Sequence, residues 1–134
     1  SRATSNICTN QGLMVTAATI YMSLLGPQGL RRVAVESHTK TRALAAAAAQ
    51  LDGVEPAFTA PYFHEVVLRL PVRASAVIEG MRRQGILAGV ALSSWYPALA
   101  DCLLVCATET KTAEDIHTYV QALGQQIEAA GGAR

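Results

Sequence analysis

The spacing of apolar residues changes along the chain, and each change marks an element. Residues 1–10 are polar and aperiodic. They read as a loop ending in a helix cap, with Thr9 or Asn10 offering an oxygen to the first free N–H groups. Residues 11–25 read as a helix. Leu13, Ile20 and Leu24 fall on one side, while Met14, Tyr21, Met22 and Leu25 crowd the others. A helix apolar nearly all round is normally covered on most sides. Gly26-Pro27 breaks it, and Pro27 suits the first turn of a new helix, where its missing N–H costs nothing. That second helix is predicted over residues 28–51, about 36 Å long at 1.5 Å per residue. Arg31, Arg32, Glu36, Lys40 and Arg42 give it a wet side. The alanines at 45–49 give helix propensity and small side chains that admit a close neighbour, and Asp52-Gly53 ends it.

Residues 54–61 read as a loop with room for a short edge strand. Residues 65–70 form the clearest strand, stopped by Pro71. Residues 74–84 suit a short helix, with Val77 and Met81 one turn apart and Gly85 as its stop. Residues 86–92 are strand-like but interrupted by glycine, and residues 93–100 form a turn-rich loop around Trp95-Tyr96-Pro97. A second strand spans residues 102–107. Thr112-Ala113-Glu114-Asp115 resembles a capping box, so a last helix begins near Ala113, with Ile116, Val120, Leu123 and Ile127 as its buried stripe. This order predicts an α+β fold: a small mixed or antiparallel sheet with helices on one face. One domain is expected over 1–134, with a linker and cap loop at 1–10, two helices over 11–52 and an α+β part over 54–130.

Composition narrows the partners. The chain has 134 residues, 51% hydrophobic, enough for a real core. Only 16% are charged and the net charge is +1, so no broad basic face exists for nucleic acid or anionic lipid. No charge occurs between Ala3 and Leu30. The apolar part, 12–26, is shorter than the roughly 20 residues of a membrane span and contains Thr16, Thr19 and Ser23. A helix buried in protein is expected there, with no membrane contact. Cys8, Cys102 and Cys106 are too few, and odd in number, for a secreted disulfide scaffold. They read as reduced thiols of a cytoplasmic protein. Cys102 and Cys106 share a strand face. A metal pair there lacks two further ligands, since His38, His64 and His117 are scattered, so both are expected to be small buried hydrophobes.

Candidate chemistry is sparse. Gly85-Ile86-Leu87-Ala88-Gly89 follows a helix and lacks a lysine, so it is not a phosphate loop, and no His-Glu-x-x-His or nucleophile elbow occurs. Lys40 and Lys111 are the only lysines, one on a charged helix face and one before a cap, whereas a Schiff-base lysine needs a desolvated pocket. His64 and Glu65 could form an acid–base pair, but neighbouring strand residues point to opposite faces. Trp95 and Tyr96 are expected to plug the edge of the core rather than form a ligand lip. The uncharged, hydrogen-bonding segment at 3–11 could line a shared active site or serve as cap and linker. Within it Asn6, Cys8, Thr9 and Asn10 are the candidate site-lining or subunit-contact residues.

The same segment carries a resemblance. Ala3-Thr4-Ser5-Asn6-Ile7-Cys8-Thr9-Asn10-Gln11, followed by Ala17-Ala18-Thr19-Ile20-Tyr21-Met22-Ser23-Leu24-Leu25-Gly26, is similar to a stretch of the glycine cleavage system P-protein family, in subunit 1 of its two-subunit form. Gly29-Leu30-Arg31, Phe63-His64-Glu65-Val66-Val67-Leu68-Arg69-Leu70-Pro71, Gly85-Ile86-Leu87-Ala88-Gly89, Tyr96-Pro97 and Leu103-Leu104-Val105-Cys106-Ala107-Thr108-Glu109 follow in the family's order. Family members carry more charge before the opening motif, where this chain has only Ser1-Arg2.

The resemblance implies the C-terminal small domain of the aspartate-aminotransferase fold (fold type I of pyridoxal-phosphate enzymes), with the large domain absent. It implies a heterotetrameric glycine dehydrogenase (decarboxylating) that passes an aminomethyl group to the lipoyl arm of the H-protein. The pyridoxal-phosphate lysine is then on subunit 2, and this chain binds no cofactor alone and is inactive alone. Its partners are subunit 2 and, through the complex, the H-protein. The chain on its own is expected to self-associate through its apolar first helix. Two rival readings are the small domain of another pyridoxal-phosphate enzyme, such as an aminotransferase or desulfurase, and a free-standing α+β binding module.

Overall fold

The computed structural model describes residues 11–131, which divide into two compact units, one up to Arg32 and one from Val33. Helix α1, Gly12–Ala48, begins in the first and ends in the second. Gly26 lies outside helical geometry, at φ 61° and ψ −178°, so the predicted break falls where Gly26-Pro27 put it. A Cβ at Gly26 would meet nothing within 4 Å, so the backbone conformation, not space, calls for glycine.

In the first unit, Leu13 and Leu24 are each 82% exposed, and Met14, Val15, Ile20, Tyr21 and Met22 are exposed too. Thr16 Oγ1 donates to the Gly12 carbonyl at 2.9 Å and Thr19 Oγ1 to the Val15 carbonyl at 2.8 Å, so both hydroxyls are satisfied within the helix. α1 is long and apolar enough to cross a membrane by length and composition, a test that core helices of soluble proteins also pass.

In the second unit, α1 ends at Ala48 rather than at residue 51. Its last turn tightens: Gln50 N–H bonds the Ala47 carbonyl and Leu51 N–H the Ala48 carbonyl, three residues back instead of four. Strand β1, Glu55–Pro56, is the short edge strand, and β2, Glu65–Arg69, follows. Helix α2, Ala74–Arg83, stops before Gly85, which has φ 77°. Of the strand-like stretch at 86–92 only β3, Val90–Ala91, pairs, and two short 3-10 turns carry the chain to β4, Cys102–Cys106. Helix α3 is Ala113–Gly131. Its capping box forms as predicted: Asp115 N–H donates to Thr112 Oγ1 at 3.0 Å, and Thr112 N–H to Asp115 Oδ2 at 2.7 Å.

The strands form one antiparallel sheet in the order β1-β2-β4-β3. Val66 faces Val105 and Leu68 faces Leu103, and all four are buried. They join one hydrophobic cluster with Leu44, Ala45 and Ala48 of α1, Val77 and Met81 of α2, and Leu123 and Ile127 of α3. The alternate positions, Glu65, Val67 and Arg69 facing Cys106, Leu104 and Cys102, take the other side. Helices thus bury one face of the sheet.

Polar contacts fix the second half of α1 to the strand ends. Thr41, fully buried, accepts from the Ala107 N–H and shares its hydroxyl proton between the Ala107 and His64 carbonyls. Ser37 Oγ accepts from Glu109 N–H, and Lys40 Nζ donates to the Glu109 carbonyl at 2.6 Å. His38 Nδ1 pairs with the Phe63 carbonyl at 2.7 Å, and its ring stacks on Phe63.

Candidate functional site

The described side chains converge on a cleft of about 540 Å³ in the second unit. Residues 85–90 form one wall, Leu104 to Ala107 the floor and the start of α3 the other wall. Gly89 shapes it. Its φ is 135°, and a Cβ there would run into the Leu104 carbonyl oxygen, so only glycine lets the chain pass this close to β4. β3 begins one residue later and pairs Val90 with Leu104, leaving no β3 residue opposite Cys106. On β2, the Val67 carbonyl accepts from Ala57 N–H and so points to the β1 side. Antiparallel alternation then turns the backbone of Val66 toward Val105, and that of Leu104 and Cys106 toward β3. The Cys106 N–H and carbonyl therefore aim into the cleft.

Ile86, Leu87, Leu104 and Ile116 make the cleft largely apolar, and Glu65, Cys106, Lys111, Asp115 and Thr118 stud its rim. Tyr119 donates its hydroxyl to the Ala88 carbonyl at 2.6 Å. Burial first, and the charge Cys106 would carry as a thiolate second, push that phenol well above its usual range, so it stays a neutral donor. Asp115 is held below the usual carboxylate range by the Thr112 N–H and then by the Thr112 hydroxyl. Among the described residues no hydrogen bond joins Cys106 to a histidine or carboxylate, so the thiol has no activating base.

The residues singled out by sequence separate. Asn6, Cys8, Thr9 and Asn10 lie outside the described residues. Cys102 is buried, as expected, but Cys106 is exposed. The pair lies on the sheet face away from the main core, and β3 stops short of covering Cys106. Cys102 is shielded, and its thiol donates to Asp101 Oδ1 at 3.4 Å. Burial first, then that carboxylate, push the Cys102 thiol up. Arg69 joins Asp101 at 2.7 Å. Burial works to raise the Asp101 carboxyl, but the hydrogen bonds from Arg69 and Cys102 outweigh it and hold it low.

Trp95 and Tyr96 do not plug the core: they are 66% and 59% exposed, carried outward between the two 3-10 turns. His64 is half-buried, edge-on to Phe63, while Glu65 is exposed on the cleft rim. Lys40 is held by Glu109 and by Glu36 at 3.6 Å, and Lys111 is exposed. Neither geometry fits a Schiff-base lysine, which needs a desolvated pocket. Among the described residues no cluster of three His, Cys, Asp or Glu could hold a metal. The cleft itself was missed from sequence. The signal for it was Gly85 and Gly89, which mark a backbone that must turn and then approach a strand closely.

Fold and site together define a class: an α+β scaffold with an apolar cleft and no catalytic set among its described residues. The chain belongs to the glycine cleavage system P-protein family, whose model matches residues 1–123. It is 59% identical over 129 residues to a Nitrosomonas europaea protein named as glycine dehydrogenase (decarboxylating) subunit 1, covering 96% of this chain and 28% of that one. A Methylococcus capsulatus protein of the same name is 55% identical, covering 95% of this chain and 28% of its own length. A crystal structure of glycine decarboxylase (P-protein) of the glycine cleavage system, in inhibitor-bound form, superposes with a TM-score of 0.80 at 31% identity. That match covers 91% of this chain and 28% of the other. The chain thus spans little more than a quarter of the relatives it matches.

Proposed function

We propose that this chain is the small-domain part of subunit 1 of a cytoplasmic, heterotetrameric glycine dehydrogenase (decarboxylating), and that it acts by folding and docking rather than by chemistry of its own. The observation that carries this reading is the 59% identity to subunit 1 of Nitrosomonas europaea across 96% of the chain. In the proposed assembly, subunit 2 supplies the pyridoxal-phosphate lysine, and the aminomethyl group from glycine passes to the lipoyl arm of the H-protein. Asn6, Cys8, Thr9 and Asn10 line the shared site or touch subunit 2. The unit from Val33 is a frame whose helix and strand ends are tied at Thr41, Ser37 and Lys40. Separated from the rest of the subunit, the chain self-associates through the helix at residues 11–25. The ordered, near-complete match to subunit 1 favours this reading over the small domain of another pyridoxal-phosphate enzyme or a free-standing binding module.

The test is reductive trapping. The chain is mixed with pyridoxal phosphate and borohydride, alone and together with subunit 2, and the modified lysine is located by mass spectrometry. Stoichiometric labelling on subunit 2 alone is expected. Stoichiometric labelling of Lys40 or Lys111 would overturn the reading.

A further inference from the structure

The first stretch of α1 is exposed over far more of its circumference than one packing partner covers. At 3.6 residues per turn, its exposed apolar side chains run from Ile20 through Leu13 and Leu24, then Tyr21 and Met14, to Met22 and Val15. This is an arc of about 220°. A helix packed on one body shows an apolar stripe on the order of 100° wide. The remaining strip is Thr16, Thr19 and Ser23, with no charge, and Thr16 and Thr19 already spend their hydroxyl protons on carbonyls of their own helix. That strip too can leave water without stranding those donors.

From this geometry we infer that residues 13–25 are a core helix of the full-length subunit, enclosed on at least two sides by the remainder of the same polypeptide. The inference rests on the proposed reading of the chain as part of subunit 1. A second copy of the chain is the weaker occupant, because a two-fold contact pairs one patch with itself and leaves about half of so wide an arc in water. A separate subunit is weaker too. One partner surface covers a stripe on the order of 100°, less than half of this arc of about 220°. The same polypeptide has the material: the solved P-protein shares only 28% of its chain with this one, so nearly three quarters of it lies outside the shared part.

Hydroxyl-radical footprinting with mass spectrometry reads side-chain cover directly, and Leu13, Met14, Tyr21, Met22 and Leu24 report on both halves of the arc. Three samples are compared: this chain alone at low concentration, this sequence set in the frame of full-length Nitrosomonas europaea subunit 1, and the unaltered relative. Oxidation of all five side chains is expected to fall at least tenfold in the full-length subunit without subunit 2, and to stay low on dilution. The aligned positions of the relative should behave alike. Protection that appears only with subunit 2, only at high concentration, on only one half of the arc, or already in this chain alone overturns the inference. Glycine decarboxylation measured with subunit 2 and H-protein separates the two claims. An active subunit with an unprotected helix sinks this inference alone, and an inactive one counts against the proposed function.

Discussion

Thr41 and Ala107 close a two-way hydrogen bond. The Ala107 N–H donates to Thr41 Oγ1 at 3.1 Å, and Thr41 Oγ1 donates to the Ala107 carbonyl at 2.9 Å. Both residues are buried, so one hydroxyl satisfies the end of β4 where the sheet offers no further partner. Thr41→Val keeps the shape and strands those groups. It should cost about 1–3 kcal/mol in urea unfolding, the usual penalty for a buried unsatisfied group. Thr39→Val, at an exposed position of the same helix, is the control and should change little. A Thr41→Val cost no larger than the control's would refute the clamp.

Gly89 and Gly85 both have positive φ but differ in surroundings. Gly85→Ala meets open space and should cost about 1 kcal/mol of backbone strain. Gly89→Ala adds a collision with the Leu104 carbonyl and should cost more, on the order of 2–3 kcal/mol. It should also release Tyr119 from the Ala88 carbonyl, visible as a change in tyrosine fluorescence. Equal costs for the two variants would contradict the close approach.

The two described thiols should react at different rates. Cys106 is exposed, whereas Cys102 is buried and its thiol is pushed up by burial and by Asp101, which lowers its thiolate fraction. Labelling of the native chain near neutral pH should modify Cys106 first, with Cys102 following only on unfolding. Fast reaction of both would mean that Cys102 is not shielded.

Acid should weaken the start of α3. The Asp115 carboxyl is held below its ordinary value, so its contribution is present above the unfolded-state pKa and is lost as pH falls through the lower folded value. Stability should therefore decline as pH drops through the acidic carboxylate range, and Asp115→Asn should flatten that decline. An unchanged pH profile in the variant would remove Asp115 as a cause.

How much of this was legible in the sequence depends on how local each signal is. Gly26-Pro27, Thr112 with Asp115, and Val77 with Met81 act within a few residues, and all three mark what the structure contains. The sequence pattern puts the end of α1 too late because alanines continue to Ala49, while the tightened last turn depends on the chain leaving the helix toward Leu51 and Val54. The exposure of Cys106 depends on where β3 stops, and that of Trp95 on two 3-10 turns, neither of which has a periodic signature. The cleft needed residues 85–90, β4 and α3 brought together from separate parts of the chain, which spacing alone cannot show. Family membership was legible because it rests on residue identities in order. The candidate residues Asn6, Cys8, Thr9 and Asn10 come from the uncharged hydrogen-bonding segment that also carries that resemblance.

The proposed role, a working part of subunit 1 without catalytic chemistry of its own, can be assayed in the whole subunit. It is tested most directly by replacing the matching stretch of full-length Nitrosomonas europaea subunit 1 with this sequence. Release of labelled carbon dioxide from glycine is then measured with subunit 2, pyridoxal phosphate and lipoylated H-protein. The chimera is expected to support release within a fewfold of the parent subunit, and this chain alone with pyridoxal phosphate and H-protein is expected to release none. A chimera that folds and binds subunit 2 yet stays inactive, or release by this chain alone, would contradict it.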